Sequence, residues 1–211
     1  MKPKSLLVIA PHTDDAELGC GGSISRFLDE GIDVTVVAFS TAKESLPPGV
    51  PLDTLKNEFL TAMQILGVSN DHLLIFDYPV RQLTDHRQEI LEHLVYLRRS
   101  LSPEVVFAPS GSDVHQDHQV LYAEAVRAFK QTTLWGYELP WNHINFAAQA
   151  FVTIKNEHLE KKWLALQAYK SQIELNRSYF TFNFIEGLAR VRGTQIGTEF
   201  AEAFEVVRIK W

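Results

Sequence analysis

Near its amino end the chain reads Ser5-Leu6-Leu7-Val8-Ile9-Ala10-Pro11-His12-Thr13-Asp14-Asp15. The first six residues of this stretch form a short apolar run, which predicts a buried strand. An imidazole and two carboxylates follow at once, and then come the glycines of Gly19-Cys20-Gly21-Gly22. This order is typical of a strand that leads through a loop into a helix, with polar side chains gathered at a site.

A second polar cluster has the same relation to a strand. Residues 105–108 form another short apolar run, and His115-Gln116-Asp117-His118 follows it. Histidine and aspartate after two strands point to a metal site. Cysteine ligation is not available, because Cys20 is the one cysteine of the chain.

Composition narrows the class of protein. With 211 residues and 45% hydrophobic content, we expect a single domain spanning residues 1–211. The net charge of −6 argues against nucleic acid as a partner. No apolar segment approaches the roughly 20 residues of a membrane span, and the run after Lys4 is shorter than the core of a signal peptide, about 7–15 residues. We therefore expect a cytoplasmic protein that acts on a small molecule, and a homo-oligomer stays open.

Strand and helix patterns alternate along the chain. Strands are predicted at residues 5–10, 33–39, 72–76 and 105–108, and helices at 16–31, 52–66 and 86–101. Because these strands are apolar almost throughout, the pattern predicts an α/β fold with a mostly parallel sheet and helices on both faces. Further strands are expected at 149–154 and 204–209 and a helix at 157–171, while residues 135–145 resist assignment.

The two polar clusters are expected to meet in such a fold. Ligand sites of doubly wound sheets lie at the carboxyl ends of the strands, where the strand order reverses, commonly between the first and fourth strands. His12 follows the first predicted strand, and His118 follows the fourth. The clusters would thus face each other across one crevice.

The residue types in the two clusters suit a catalytic zinc ion. Such an ion takes about three protein ligands and keeps one open position, where a bound water has a pKa near 7. His12, Asp15 and one histidine of the second cluster supply the set, and Asp14 remains as a general base. The other histidine could pair with Asp117. If both histidines of the second cluster bound the ion, the site would instead be closed and structural.

Four segments, spread over nearly the whole chain, carry a resemblance to a known family. They are Pro11-His12-Thr13-Asp14-Asp15-Ala16-Glu17-Leu18-Gly19-Cys20-Gly21-Gly22, His115-Gln116-Asp117-His118, Tyr169-Lys170-Ser171-Gln172, and Arg192-Gly193 through Gly197 to Ala201-Glu202-Ala203-Phe204. In this order they resemble the motifs of the LmbE-like, or PIG-L, family of zinc-dependent N-deacetylases.

The resemblance implies a Rossmann-like fold and hydrolysis of an N-acetyl group on an N-acetylglucosamine-type conjugate. Carried across, it implies that His12, Asp15 and His118 bind zinc, although another divalent transition metal would suit the same ligands. It implies that Asp14 is the general base and that His115, oriented by Asp117, stabilises the oxyanion or protonates the leaving group.

The chain departs from the family pattern at three places, and the third of them concerns substrate contacts. Thr13 replaces the usual second proline, and Phe200 replaces a usual tyrosine. Many members have an arginine in the helix after the second strand, where this chain has Leu55-Lys56-Asn57-Glu58. Contacts of Lys56 with the substrate therefore stay open. Contacts of Arg81 and of the aromatic segment from Trp135 to Trp141 also stay open, because a surface position for Arg81 and core packing or a subunit contact for the aromatic residues are equally compatible with the sequence.

Other functions remain to be weighed against a deacetylase. One is a metal-dependent amidase or deacylase that acts on another acylated amino-sugar or thiol conjugate. A non-catalytic metal-binding protein is the second, although such a protein would have no need of Asp14. An NAD-dependent oxidoreductase is disfavoured because the glycines at 19, 21 and 22 do not fit the dinucleotide-binding pattern.

Overall fold

A computed structural model describes residues 2–210. Within that range the chain forms one seven-stranded sheet and seven α-helices. The strands are β1 (Ser5–His12), β2 (Asp33–Ser40), β3 (Leu73–Ile75), β4 (Val105–Pro109), β5 (Thr133–Tyr137), β6 (Ala150–Ile154) and β7 (Phe200–Arg208). The helices are α1 (Asp15–Asp29), α2 (Thr54–Leu66), α3 (Arg87–Leu101), α4 (Gln116–Ala128), α5 (Asn156–Leu166), α6 (Lys170–Ile173) and α7 (Phe182–Ile196).

The strand order places β1 in the middle of the sheet. It runs β3-β2-β1-β4-β5-β7-β6. The first five strands of this order are parallel, and β7 is antiparallel to both of its neighbours. The predicted mostly parallel α/β fold is therefore confirmed. The order reverses between β1 and β4, so a crevice forms at their carboxyl ends.

Both faces of the sheet are buried, which explains the uninterrupted apolar runs. Along β1, Leu6 and Val8 point into a core shared with α1, α2, α5 and α7, whereas Leu7 and Ile9 point into a core shared with α3 and α4. The alternation follows from the two-residue period of a strand. Helix α2 ends at Gly67, as predicted, where φ is 100° and a side chain would strain the backbone.

Several elements differ from the sequence prediction. The expected helix at 157–171 is divided into α5 and α6, and β7 begins at Phe200 rather than at residue 204. The sequence places one helix and one strand after the second polar cluster without giving their bounds, and the structure shows them as α4 and β5. Helix α7 was not predicted. Among the described residues, no helix has both the length and the apolar character that a membrane crossing requires.

Candidate metal centre

The crevice between β1 and β4 brings the two polar clusters together, as the sequence predicted. His12 is the last residue of β1, and Asp15 is the first residue of α1. The second cluster lies at the start of α4, which begins directly after His115. Because β1 and β4 pair in parallel, the residues after them share one edge of the sheet.

Three buried side chains form a nearly equilateral triangle of ligand atoms. His12 Nδ1 lies 3.2 Å from Asp15 Oδ2, His118 Nε2 lies 3.3 Å from the same oxygen, and the two nitrogens are 3.3 Å apart. Ligands at about 2.0–2.1 Å from a tetrahedral zinc ion are separated by about 3.3 Å. The donor set and its spacing therefore fit a divalent transition metal.

A carboxylate behind each histidine fixes which ring nitrogen faces the centre of the triangle. The Nε2–H of His12 donates to Asp117 Oδ2 at 2.9 Å, and the Nδ1–H of His118 donates to Asp113 Oδ2 at 2.7 Å. The remaining nitrogen of each ring then presents its lone pair toward Asp15. Paired carboxylates of this kind orient metal-binding histidines and raise their basicity.

Asp117 was expected to orient His115, but its carboxylate bonds other groups. Its carboxylate faces β1 and the loop after β3, because it bonds His12 and accepts the backbone N–H groups of Arg81 at 2.6 Å and Leu83 at 3.3 Å. Arg81 has a φ of 67°, an uncommon conformation for a side-chain-bearing residue. Arg81 thus reaches the site through its backbone, while its side chain is exposed.

His115 is held by the backbone of α4. Its Nδ1 accepts the N–H of Asp117 at 3.2 Å, so the neutral ring carries its proton on Nε2. Burial lowers the pKa of His115, as do the neighbouring imidazoles of His118 and His12. His115 is thus suited to donate a hydrogen bond as a neutral imidazole. Ligand atoms of the three histidines lie within 4.8 Å of one another, so a closed site with His115 as a further ligand is the competing arrangement.

Asp14 precedes α1 but its side chain does not cap that helix. Burial and the adjacent Asp15 carboxylate raise the pKa of Asp14 to about 7, against the opposing effect of His12, Arg177 and His118. A carboxylate with a pKa in this range can accept a proton and return it at neutral pH.

Asp113 is a site residue that the sequence did not reveal. Besides bonding His118, it accepts the backbone N–H of His115 at 2.9 Å through its other oxygen. Asn142 donates to it at 3.3 Å, and an isolated β-bridge joins Asp113 to His143. An aspartate five residues before a ligand has no recognisable signature, because its role depends on the return of a distant loop.

The aromatic segment divides between the core and the rim of the site. Tyr137 is fully buried, and its hydroxyl donates to the carbonyl of Ile9 at 3.0 Å. Trp135 packs against Phe107 and Phe204. These two aromatic residues therefore belong to the core rather than to a substrate pocket.

Trp141 lies at the rim instead. Its ring stacks on Tyr179 with centroids 3.8 Å apart, and the Tyr179 hydroxyl accepts a hydrogen bond from Arg177 at 2.5 Å. Burial raises the pKa of Tyr179, and the carboxylates of Asp14 and Asp15 add to this effect. The stack therefore borders the metal centre, but one face of Trp141 is already covered.

The late sequence motifs stabilise the helices around the site. The hydroxyl of Tyr169 donates to the buried Glu17 of α1 at 2.7 Å. Ser171 donates to Glu58 of α2 through its backbone N–H at 2.9 Å and its hydroxyl at 2.6 Å. The Tyr-Lys-Ser-Gln segment thus connects α6 to both α1 and α2.

A second group of metal-binding residue types, formed by Asp29, Glu157 and His158, has a different explanation. His158 Nδ1 accepts the backbone N–H of Lys155 at 3.0 Å, so its other nitrogen carries the proton and faces Asp29. Lys161 and Lys155 already pair with the two carboxylates. This group caps helix α5.

Comparisons with known proteins relate the chain to deacetylases. A family model described as PIG-L, GlcNAc-PI de-N-acetylase, matches residues 7–129. The Escherichia coli protein described as uncharacterized deacetylase YaiS is 29% identical over 174 residues, which cover 81% of this chain and 92% of that protein. Diacetylchitobiose deacetylase of Thermococcus kodakarensis is 30% identical over 55% of this chain, which spans 45% of that longer protein.

Solved structures with the same fold include a protein whose named activity is not deacetylation. Conserved protein TT1542 of Thermus thermophilus has a TM-score of 0.81 and 28% identity, with 98% of this chain and 96% of that chain covered. The 4-carboxy-2-hydroxymuconate hydratase GalB of Pseudomonas putida also has a TM-score of 0.81, with 22% identity over 99% of this chain and 98% of its own. The fold alone therefore does not determine the reaction.

Proposed function

The chain belongs to the PIG-L family, and from this premise we propose that it is a metal-dependent deacetylase that releases acetate from an N-acetylglucosamine-type conjugate. The triangle formed by His12 Nδ1, Asp15 Oδ2 and His118 Nε2 is the observation that carries the proposal. Relatives described as deacetylases support the reaction, and a relative that acts on diacetylchitobiose supports the amino-sugar class.

The three triangle residues would hold the cation. A divalent metal bound there would acidify a water molecule and polarise the amide carbonyl of the substrate. Asp117 and Asp113 keep the two imidazoles in the orientation that this binding needs. We assign zinc as the metal, because two imidazoles and one carboxylate are a common zinc ligand set.

Asp14 and His115 carry the proton and charge steps in this proposal. Asp14 accepts the proton of the attacking water as the C–O bond forms. His115 donates a hydrogen bond from Nε2 to the amide oxygen as that oxygen gains negative charge. The C–N bond then breaks, Asp14 returns its proton to the leaving nitrogen, and the products are acetate and the free amine.

Asp14→Asn tests this assignment. The variant should keep its zinc and lose most of its turnover, because the amide cannot accept the proton, whereas His12→Ala should lose zinc together with activity. Acetate release from a panel of N-acetylglucosamine conjugates is measured with zinc content in parallel. A normal rate in Asp14→Asn would show that Asp14 is not the general base.

The same panel, extended to analogues with longer N-acyl groups, separates the alternative functions. Faster release of a longer acyl group than of acetate would indicate a deacylase. A zinc-loaded parent protein that cleaves no member of the panel would indicate a metal-binding protein without this activity.

A further inference from the structure

Asp113, the aspartate behind His118, lies in the loop that follows β4, and a second loop lies against it. Asp113 accepts the ring N–H of His118 at 2.7 Å. The backbone N–H of Val114 donates to the carbonyl of Asn142 at 3.0 Å, next to the β-bridge between Asp113 and His143. The side chain of Asn142 donates to the same carboxylate oxygen of Asp113 at 3.3 Å. The loop after β5 therefore supports the aspartate that orients a metal-binding histidine.

Both ring nitrogens of His143 have hydrogen-bond partners. Nε2 accepts the backbone N–H of Leu139 at 3.0 Å, which closes the turn between these two residues. The proton of the neutral ring therefore lies on Nδ1, and Nδ1–H donates to the hydroxyl of Ser112 at 3.2 Å. This bond joins the loop after β5 to the residue directly before Asp113.

The bond from Leu139 also fixes the direction of a longer chain of hydrogen bonds. Because Ser112 Oγ accepts from His143, its own proton can donate to Ser110 Oγ at 2.9 Å. Ser110 Oγ then donates to Glu205 of β7 at 2.6 Å. Every donor in this chain points away from His143, and the chain ends on a carboxylate, which in its ionised form only accepts.

Close packing holds the loop after β4 in place. A Cβ at Gly111 would lie 2.6 Å from the ring of Tyr122 in α4, and a Cβ at Gly136 of β5 would lie 2.7 Å from Cα of Ser110. The loop is thus held between α4 and β5, and the bond from His143 adds a third point of attachment. In a segment packed this tightly, we expect the loss of that bond to shift its neighbours.

The geometry does not make Ser112 a nucleophile. A nucleophilic serine needs an imidazole nitrogen that accepts its proton. Nδ1 of His143 is a donor instead, because Nε2 already accepts the backbone N–H of Leu139. The pair therefore connects two loops and performs no chemistry of its own.

We propose that His143 is a positioning residue of the metal centre. Its bond to Ser112 holds Asp113 where that carboxylate accepts the Nδ1–H of His118, and so keeps Nε2 of His118 directed at the metal position. The proposal rests on the proposed function, because the metal centre belongs to that function, but metal affinity can be measured without turnover.

Zinc affinity, measured by competition with a chelator, tests the proposal. His143→Ala should lower the affinity about 10-fold, the lower end of the range for partners of metal ligands, because it acts through Asp113. His143→Asn should stay within about 3-fold of the parent, because its amide can still donate to Ser112 and only the bond from Leu139 is lost. His143→Gln should lose as much as His143→Ala, because its amide reaches the position of Nε2 and not that of Nδ1.

A double variant and a control show whether the effect passes through one link. Ser112→Ala should reproduce the loss, and Ser112→Ala combined with His143→Ala should lose no more than either single variant. His72→Ala is the matched control, because the half-buried His72 pairs with Asp33 at the opposite edge of the sheet. It should keep the zinc affinity of the parent even where urea denaturation shows a loss of stability.

Four results would overturn the proposal. They are unchanged affinity in His143→Ala, an equal loss in His72→Ala, a greater loss in His143→Asn than in His143→Gln, and additive losses in the double variant. If the parent binds no zinc, the proposed function fails, and amide hydrogen exchange still tests the positioning. The backbone N–H of His115 donates to Asp113 at 2.9 Å. It should exchange about 10-fold faster in His143→Ala than in His72→Ala, and equal rates would overturn the proposal.

Discussion

Two aspartates determine how the site histidines are presented. Asp117 and Asp113 each accept a ring N–H. His12 therefore directs its Nδ1, and His118 its Nε2, toward the same point. The sequence indicated the histidines and Asp15 through their order after two strands. It could not indicate the partner of each ring, because those pairings depend on side-chain directions across the crevice.

We expect Asp117→Asn and Asp113→Asn to weaken zinc binding about 10–100-fold each without abolishing it. An amide can still accept the ring N–H, but it supplies no charge to raise the basicity of the ligand. Competition with a chelator measures the zinc affinity, and Asp85→Asn, an exposed aspartate, is the control. Unchanged affinity in both variants would show that the carboxylates do not support a metal at this triangle.

His115 tests whether the site is open or closed. If His115 only stabilises charge during the reaction, His115→Ala should keep its zinc and lose about 10²-fold in kcat. His115→Asn separates this effect from helix capping, because asparagine caps the start of α4 well but cannot replace the Nε2–H. Loss of zinc from His115→Ala would favour the closed four-ligand site, and a normal rate in His115→Asn would reduce His115 to a capping residue.

At the scale of elements, the sequence predicts strands and helices best where the burial of apolar side chains alone decides the structure. Strands β1, β2 and β4 are apolar runs buried on both faces, and β3 at the edge is an apolar run that is half-buried. The prediction of all four strands is confirmed with small changes at the ends. The bounds of helix α4 could not be predicted because its buried face carries Asp117, His118 and Glu124, which interrupt the apolar period. Asp117 and His118, which build the site, thus conceal the limits of the helix that holds them.

Helix α1 shows why the first motif has a glycine at position 19. The helix departs from helical geometry at Cys20, and a Cβ at Gly19 would lie 2.4 Å from Cδ2 of Tyr137. That ring cannot move easily, since Tyr137 is fully buried and bonds the carbonyl of Ile9. The close approach of Tyr137 explains why glycine is needed at position 19. Dinucleotide binding is not required to explain it.

Gly19→Ala should therefore lower the free energy of unfolding by about 1–3 kcal/mol through overpacking. Gly187→Ala is the matched control, because Gly187 lies inside α7 and a Cβ there would contact nothing within 4 Å. That variant should gain about 0.5–1 kcal/mol from lower chain entropy and better helix propensity. Urea denaturation measures both, and equal stability of the two variants would contradict this account of α1.

At the scale of the whole molecule, β7 is connected to α1 across almost the full length of the chain. Glu202 accepts the backbone N–H groups of Gly22 at 3.0 Å and Ser23 at 2.6 Å, and the hydroxyl of Ser23 at 2.5 Å. It therefore caps the part of α1 that follows the break at Cys20. The resemblance of residues 192–204 to the family ending has a structural basis here, since one late carboxylate fixes the helix that begins at the metal centre.

Lys162 completes this buried network. We expect Glu202 and Lys162 to contribute unequally to the free energy of unfolding. The ammonium group of Lys162 donates to Glu202 Oε1 at 2.6 Å, and both side chains are almost fully buried. Glu202→Gln should cost about 3–5 kcal/mol of stability, because it leaves the buried charge of Lys162 without a counter-charge. Lys162→Met should cost less, because Glu202 keeps three other donors. The double variant should be more stable than the sum of the single losses predicts.

Urea denaturation of the four proteins measures this coupling, with Lys161→Met as the control on the same helix. Lys161 is more exposed and pairs with Asp29, so its loss should change stability by less than about 0.5 kcal/mol. Equal losses from Glu202→Gln and Lys162→Met would contradict the asymmetry, and strict additivity would show that the two charges do not interact. Zinc content measured on the same samples tests the wider consequence. If Glu202 fixes α1, then Glu202→Gln should also bind zinc more weakly, because Asp15 begins that helix.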